Sequence, residues 1–251
     1  MERILALSPH LDDAVLSAGA SFAALVLNGV RVEICTLFAG TPQPPLSPVA
    51  RAFHADCGLR DDAMSVRRQE DVVAMAAIGA APYHLDFLEA LYRRDAEGGW
   101  LCRYDGAVFD AALPREEALM TALASRIGDL CAISQPQQLL TCAGVGGHVD
   151  HRLTRDATLL AASAAGLPVV LWEDLPYGVG SQIAEVSGDR AVIPLPPAAW
   201  ERKQYAIICY LSQVRMLWPV GFDWWRQLDE HARSRGWGRA TELLWKVHPA
   251  R

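Results

Sequence analysis

Apolar positions in this chain fall into two recurring patterns, short unbroken runs and longer stretches at helical spacing. "RILALS" (3–8) is a run of strand type, and "DAVLSAGASFAALVLNG" (13–29) carries helical spacing closed by Gly29. "VRVEICTLFAG" (30–40) opens with alternation and reads as the next strand. Strand, helix and strand in direct succession form a βαβ unit, which implies a parallel sheet. The Pro-rich "TPQPPLSPVA" (41–50) continues neither element and is expected to be a loop.

The same patterns predict helices over 65–80, 115–130, 150–166 and 198–217. They predict strands over 137–142 and 168–175 and one starting the stretch 83–93, with a turn at 95–100. A glycine loop, "AGVGG" (143–147), follows the strand at 137–142. Such alternation implies an α/β fold: one Rossmann-like domain over 1–251, a mostly parallel sheet with helices on both faces. No repeat, low-complexity tract or linker interrupts the pattern.

Composition narrows the function classes. An apolar fraction of 51% is ample for a core, and a formal charge of -6 without a Lys/Arg run argues against a nucleic-acid partner. No apolar run approaches the about 18 residues of a membrane span, and "MERILALSPH" lacks the apolar region of a secretory signal before Pro9. The expected compartment is the cytoplasm, and the expected partner a small molecule. The six cysteines form no C-x-x-C pair and read as small buried hydrophobes.

Two polar clusters interrupt the apolar pattern where ligands bind in open α/β sheets, beyond the carboxyl ends of strands. His10, Asp12 and Asp13 follow the first strand, and His148, Asp150 and His151 follow the strand at 137–142. If those strands are neighbours, both clusters face one crevice. Imidazole and carboxylate together suit a borderline metal such as zinc. The adjacent Asp12 and Asp13 are expected to point different ways, so that one binds metal and the other faces the reacting water. Either could instead cap the helix that follows. His148 and His151, three apart at a helix start, share a face.

The stretches "SPHLDDAVLSAG" and "GVGGHVDHRLTRDA" resemble the two signature motifs of the LmbE/PIG-L family of zinc-dependent N-acetylglucosaminyl deacetylases. Weaker similarity extends over "RRQED", "LDFLEALYR", "LWEDLPYG" and "KQYAIICYLSQ". The resemblance implies an LmbE-like fold and metal ligation by His10, Asp13 and His151, with Zn2+ the expected ion and Fe2+ an alternative. It implies Asp12 as general base, His148 as the histidine that stabilises the tetrahedral intermediate in protonated form, and Asp150 as a carboxylate orienting a histidine. Arg67, three residues before Glu70, and Glu89 match substrate-contacting positions; an exposed arginine or a salt bridge explains them equally well. The implied reaction is removal of an N-acetyl group from an amino sugar of a glycoconjugate or natural-product precursor. A thiol-conjugate amide or longer acyl chain is an alternative substrate, and a non-catalytic binding protein an alternative role.

This chain departs from the family motifs at Leu11, usually proline, and Ala14, usually glutamate. Gly146 stands where some relatives carry a tyrosine near the oxyanion, so part of that stabilisation is expected from elsewhere. Glu173 and Asp174 end a predicted strand and read as loop carboxylates able to shape the pocket. His54, His84, His231 and His248 lack partners at ligand spacing and are expected to be ordinary surface or core histidines. The aromatic stretch "WPVGFDWW" (218–225), with Trp237, is expected to pack the C-terminal segment, a lip for an apolar aglycone or an oligomer interface being the other readings.

Overall fold

Alternation along the strands sorts the core into two layers. In the computed structural model, which describes residues 1–60, 62–180, 186, 188–218 and 223–247, strands β1 (Arg3–Ser8), β2 (Arg31–Thr36), β3 (Ala81–His84), β4 (Gln138–Cys142) and β5 (Val169–Trp172) run parallel. Leu5, Leu7, Cys35, Leu139 and Leu171 join one apolar cluster, while Ile4, Ala6, Ile34, Leu140 and Val170 join another on the opposite face. Two-sided burial is why these strands read as apolar runs. Helices α1 (Asp13–Leu27), α3 (Ala63–Ile78) and α6 (Pro197–Ile208) cover one face, and α4 (Glu117–Ser134) and α5 (Val149–Ala165) the other.

The sheet order is β3-β2-β1-β4-β5-β7-β6, completed by the antiparallel strands β6 (Asp189–Pro194) and β7 (Thr241–Val247). β1 and β4 are therefore neighbours, as both polar clusters require. Among the described residues, no helix is long and apolar enough to cross a membrane.

Three elements differ from expectation. The stretch 41–50 contains the start of α2 (Pro48–Asp56): Pro48 occupies the first turn, and Ser47 Oγ accepts the Ala50 amide at 2.9 Å. The strand starting 83–93 ends at His84, because the chain then runs beside Ala39 and Gly40, whose amides donate to Leu85 O and Phe87 O. A Cβ on Gly40 would lie 2.2 Å from Asp86 O, so this crossing needs glycine. The helix at 198–217 breaks after Ile208, and α7 (Leu211–Leu217) starts afresh. Tyr210 OH donates to Asp71 (2.7 Å) and Ser212 N to Glu70 (2.9 Å), contacts that one continuous helix would not make.

α1 is itself broken, with Ala18 at φ -127° and ψ 17°. Glu242 of β7 accepts the amides of Ala20 (3.1 Å) and Ser21 (2.7 Å) exposed by the break. Lys203 of α6 pairs with the same carboxylate at 2.6 Å and reaches Ser17 O at 3.4 Å. Both side chains are buried.

Five cysteines are buried and Cys209 partly so, all free, as expected of small core residues. Trp224 meets Trp225 edge to face and Trp218 at a tilt, and Trp225 is tilted against Trp200, tying α8 (Trp224–Arg235) to the body of the protein. Pro219–Phe222 of that stretch and His248 lie outside the described residues. Trp237 is exposed.

Candidate active site

Strand order reverses between β1 and β4, and the crevice at such a switch point is where α/β sheets bind ligands. The turn after β1 is drawn tight by Ser8 Oγ, which accepts the Ala14 amide (3.2 Å) and donates to His10 O (2.9 Å). Within it Asp12 adopts φ 150° and ψ -34°, a conformation that side-chain-bearing residues avoid. Its carboxylate makes no capping bond to α1. Asp12 and Asp13 both line the cleft, the strained backbone at Asp12 turning two successive residues to one space, and of the two Asp13 meets the imidazoles.

Asp13 is the hub. Its Oδ2 lies 3.0 Å from His10 Nδ1 and 3.2 Å from His151 Nε2, and accepts the His10 amide at 2.9 Å. The far nitrogens of both rings are held by other carboxylates, His10 Nε2 by Asp150 Oδ2 (3.0 Å) and His151 Nδ1 by Asp174 Oδ1 (2.6 Å). Those bonds leave His10 Nδ1 and His151 Nε2 facing Asp13. His151 Nε2 is buried and, although 3.2 Å from Asp13 Oδ2, makes no hydrogen bond of good geometry, which suits a nitrogen placed to bind a cation. The three ligand atoms lie within 4.8 Å of one another. Two imidazoles and a carboxylate suit a divalent transition metal and leave coordination positions open.

Electrostatics follow the contacts. Burial opposes the charge on Asp13, but His151 and His10 outweigh it and hold the carboxyl well below the usual range. Burial likewise opposes His151, yet Asp13 and Asp174 raise it to about 9. Asp12 differs: burial, reinforced by the Asp13 charge, pushes its carboxyl well above the usual range, with Arg67 pulling the other way.

His148 begins α5, and its Nδ1 accepts the Asp150 amide at 3.2 Å. Its ring stands 4.9 Å from that of His10 and 5.0 Å from that of His151. Burial, then the charges of those two rings, holds it well below the usual imidazole range. Asp150 takes the Ala90 amide (2.9 Å) beside its bond to His10, and Arg93 Nη1 lies 2.7 Å from its Oδ1 as an ion pair. Arg93 in turn donates to both oxygens of Glu116.

Arg67 and Glu89 pair at 2.5 Å, fully buried, and both line the cleft. They form a salt bridge at the wall of the pocket, and the reading of Arg67 as an exposed helix arginine is corrected by its burial. The inner cleft, about 70 Å³, opens past His148 and Tyr177 into an apolar groove of about 670 Å³ lined by Phe53, Leu91, Val108, Phe109 and Leu217.

Residues 5–162, more than half of the chain, match the family described as PIG-L, GlcNAc-PI de-N-acetylase. The chain belongs to the PIG-L family. It is similar to a 2'-N-acetylparomamine deacetylase of Niallia circulans, 28% identical over 68% of this chain and 66% of that protein. It is also similar to a 1D-myo-inositol 2-acetamido-2-deoxy-alpha-D-glucopyranoside deacetylase of Catenulispora acidiphila, 29% identical over 74% of this chain and 61% of that one. The match thus spans slightly less than two thirds of these curated relatives. Solved structures agree along the whole length. The zinc-inhibited form of teicoplanin deacetylase Orf2 is 37% identical over 99% of this chain and 98% of its own, with a TM-score of 0.90. The A40926 pseudoaglycone deacetylase Dbv21 is 39% identical over 99% and 98%, with a TM-score of 0.86.

Among PIG-L motif positions, the departures at Leu11 and Ala14 are fully buried and line neither the cleft nor the groove. Leu11 packs with Met64, Leu91 and Tyr92, and Ala14 with the α1 side of the core. Arg93, Glu116 and Tyr177 belong to the site without having been singled out for it, while Asp174, read as a loop carboxylate able to shape the pocket, holds His151. Asp174 alone carried a signal, its place at a strand end beside β4. The other histidines are partnered elsewhere: His54 with Tyr92 (2.7 Å), His84 with Asp71 (2.7 Å) and His231 with Glu173 (2.9 Å).

Proposed function

We propose that this PIG-L protein removes the N-acetyl group of an amino sugar carried on a bulky, largely apolar scaffold, with a metal held by His10, Asp13 and His151. The observation that carries the reading is the convergence of both imidazoles on Asp13 Oδ2, His10 Nδ1 at 3.0 Å and His151 Nε2 at 3.2 Å. The apolar groove beside the cleft supports the scaffold, as do neighbours that deacetylate teicoplanin and the A40926 pseudoaglycone. Zinc is the expected ion, and ferrous iron suits the same ligands.

When bound there, a divalent cation supplies positive charge that polarises an amide carbonyl and acidifies water. Asp12 accepts the proton of the attacking water. Burial and the Asp13 charge raise its affinity for that proton, which brings a carboxylate closer to the working range of a general base. His148 acts as a neutral donor rather than the protonated one expected from the motif. Its Nδ1 accepts the Asp150 amide, so the neutral ring carries its hydrogen on Nε2, which is free to meet the developing oxyanion. A neutral His148 has no spare proton for the leaving amine, and Asp12 returns the one it took. Asp150 and Asp174 fix the tautomers of His10 and His151. Arg67 Nε, buried and unpaired beside the Glu89 bridge, supports a contact with sugar hydroxyls.

The test is metal content of the purified protein together with amine release from alkyl, aryl and glycopeptide N-acetylglucosaminides, with and without chelator. About one metal per chain and chelator-sensitive amine release are expected. Amine from thiol-conjugate or long-chain amides alone would move the substrate to that class. Bound metal with no hydrolysis across the panel would favour a non-catalytic binding role.

A further inference from the structure

As an amide carbonyl becomes tetrahedral its oxygen gains negative charge, and hydrogen-bond donors aimed at that oxygen contribute strongly to rate. His148 supplies one from the α5 side of the cleft. The other wall is formed by the loop after β5, whose polar side chain toward the cleft is Tyr177. Tyr177 lines both the inner cleft and the apolar groove, at the point where one becomes the other.

Its ring is wedged in place. It stands edge-on to His151 at 5.4 Å and 80°, lies 6.4 Å from His148, and meets Phe109 at 5.5 Å. Opposite it, Gly146 has φ +86°, and a Cβ there would lie 2.7 Å from Tyr177 Cβ and 3.1 Å from Cγ. The ring therefore fills space that only a glycine at 146 leaves open. Among the described residues, the Tyr177 hydroxyl has no hydrogen-bond partner. A phenol keeps its hydrogen at neutral pH and can therefore donate it.

We propose that Tyr177 is a catalytic residue of the deacetylation proposed above, its hydroxyl donating a hydrogen bond to the amide oxygen as that oxygen becomes anionic. The inference rests on that reading of the site. It assigns one oxyanion donor to each flank of the cleft, Nε2 of His148 and the hydroxyl of Tyr177.

The test compares wild type with Tyr177→Phe, which keeps the ring and deletes only the donor. With octyl N-acetylglucosaminide, kcat is expected to fall about 100-fold, with KM within twofold and metal content unchanged. Affinity for a methylphosphonamidate analogue of the tetrahedral centre should fall by a similar factor, while affinity for the amine product stays constant. A variant whose kcat stays within twofold of wild type overturns the assignment. So does equal weakening of analogue and product, which would make Tyr177 a wall of the groove. Wild type that releases no amine from any N-acetyl sugar overturns the parent reading and this inference with it; an active wild type with an active variant overturns this inference alone.

Discussion

Asp174 Oδ1 lies 2.6 Å from His151 Nδ1, and its other oxygen accepts the Val145 amide at 2.9 Å. One carboxylate thus fixes both the His151 ring that meets Asp13 and the glycine loop that precedes it. Asp174→Asn offers one acceptor oxygen to two donors. Affinity for zinc, measured by competition with a chelator, is expected to fall about 10- to 100-fold with the fold retained. Undiminished affinity would detach Asp174 from the site.

Asp12 faces the cleft without binding either imidazole, so its loss should separate chemistry from metal binding. Asp12→Asn is expected to keep the metal of wild type and lose about 10²- to 10⁴-fold in kcat. The acid limb of the wild-type kcat/KM profile should lie above the ordinary carboxylate range, since burial and Asp13 raise this group. Wild-type turnover in the variant would remove Asp12 from the mechanism.

The raised pKa of His151 makes a signed prediction for the metal-free protein. Its folded value of about 9 exceeds the unfolded 6.5, so its contribution is complete below pH 6.5 and lost as pH rises through about 9. Melting of the metal-free protein should therefore drop across that window, by at most about 1.4 kcal/mol per pH unit for one proton. Metal needs the deprotonated ring, so with zinc present the trend should reverse. A metal-free protein whose stability is flat from pH 6.5 to 9 would contradict the ion pairs drawn around Asp13.

Removing the cation from a buried pair strands its partner. Lys203→Met leaves Glu242 charged in the core, with the α1 amides as its remaining partners, and should cost about 3–5 kcal/mol in urea denaturation. A loss below about 1 kcal/mol would mean the pair is solvated.

What sequence revealed and what it concealed divide along a physical line. β1, α1, β4 and α5 were legible because each is specified by its own apolar spacing, and His10, Asp12, Asp13, His148, Asp150 and His151 sit at their ends. The contact between His10 and Asp150 was implied only as a carboxylate orienting a histidine, because it joins the two motifs through strand pairing. Arg93 and Glu116 carry no local mark: a charged residue in a loop looks the same whether it grips a buried aspartate or faces water. The break at Cys209–Tyr210 reflects contacts with Glu70 and Asp71, far away in sequence. β7 escaped because its inner position, between β5 and β6, is set by topology rather than by its own residues.

The splint across the break in α1 bears on how such a sequence can change over time. Residues 5–162 carry the recognisable family signature, whereas Lys203 and Glu242 lie beyond it. The turn that carries His10, Asp12 and Asp13 is thus steadied by Lys203 and Glu242, which line neither the cleft nor the groove. Drift at those two positions is restrained by a mechanical duty to the opposite end of the chain, and a fragment trimmed to the signature would keep both motifs while losing the brace beneath one of them.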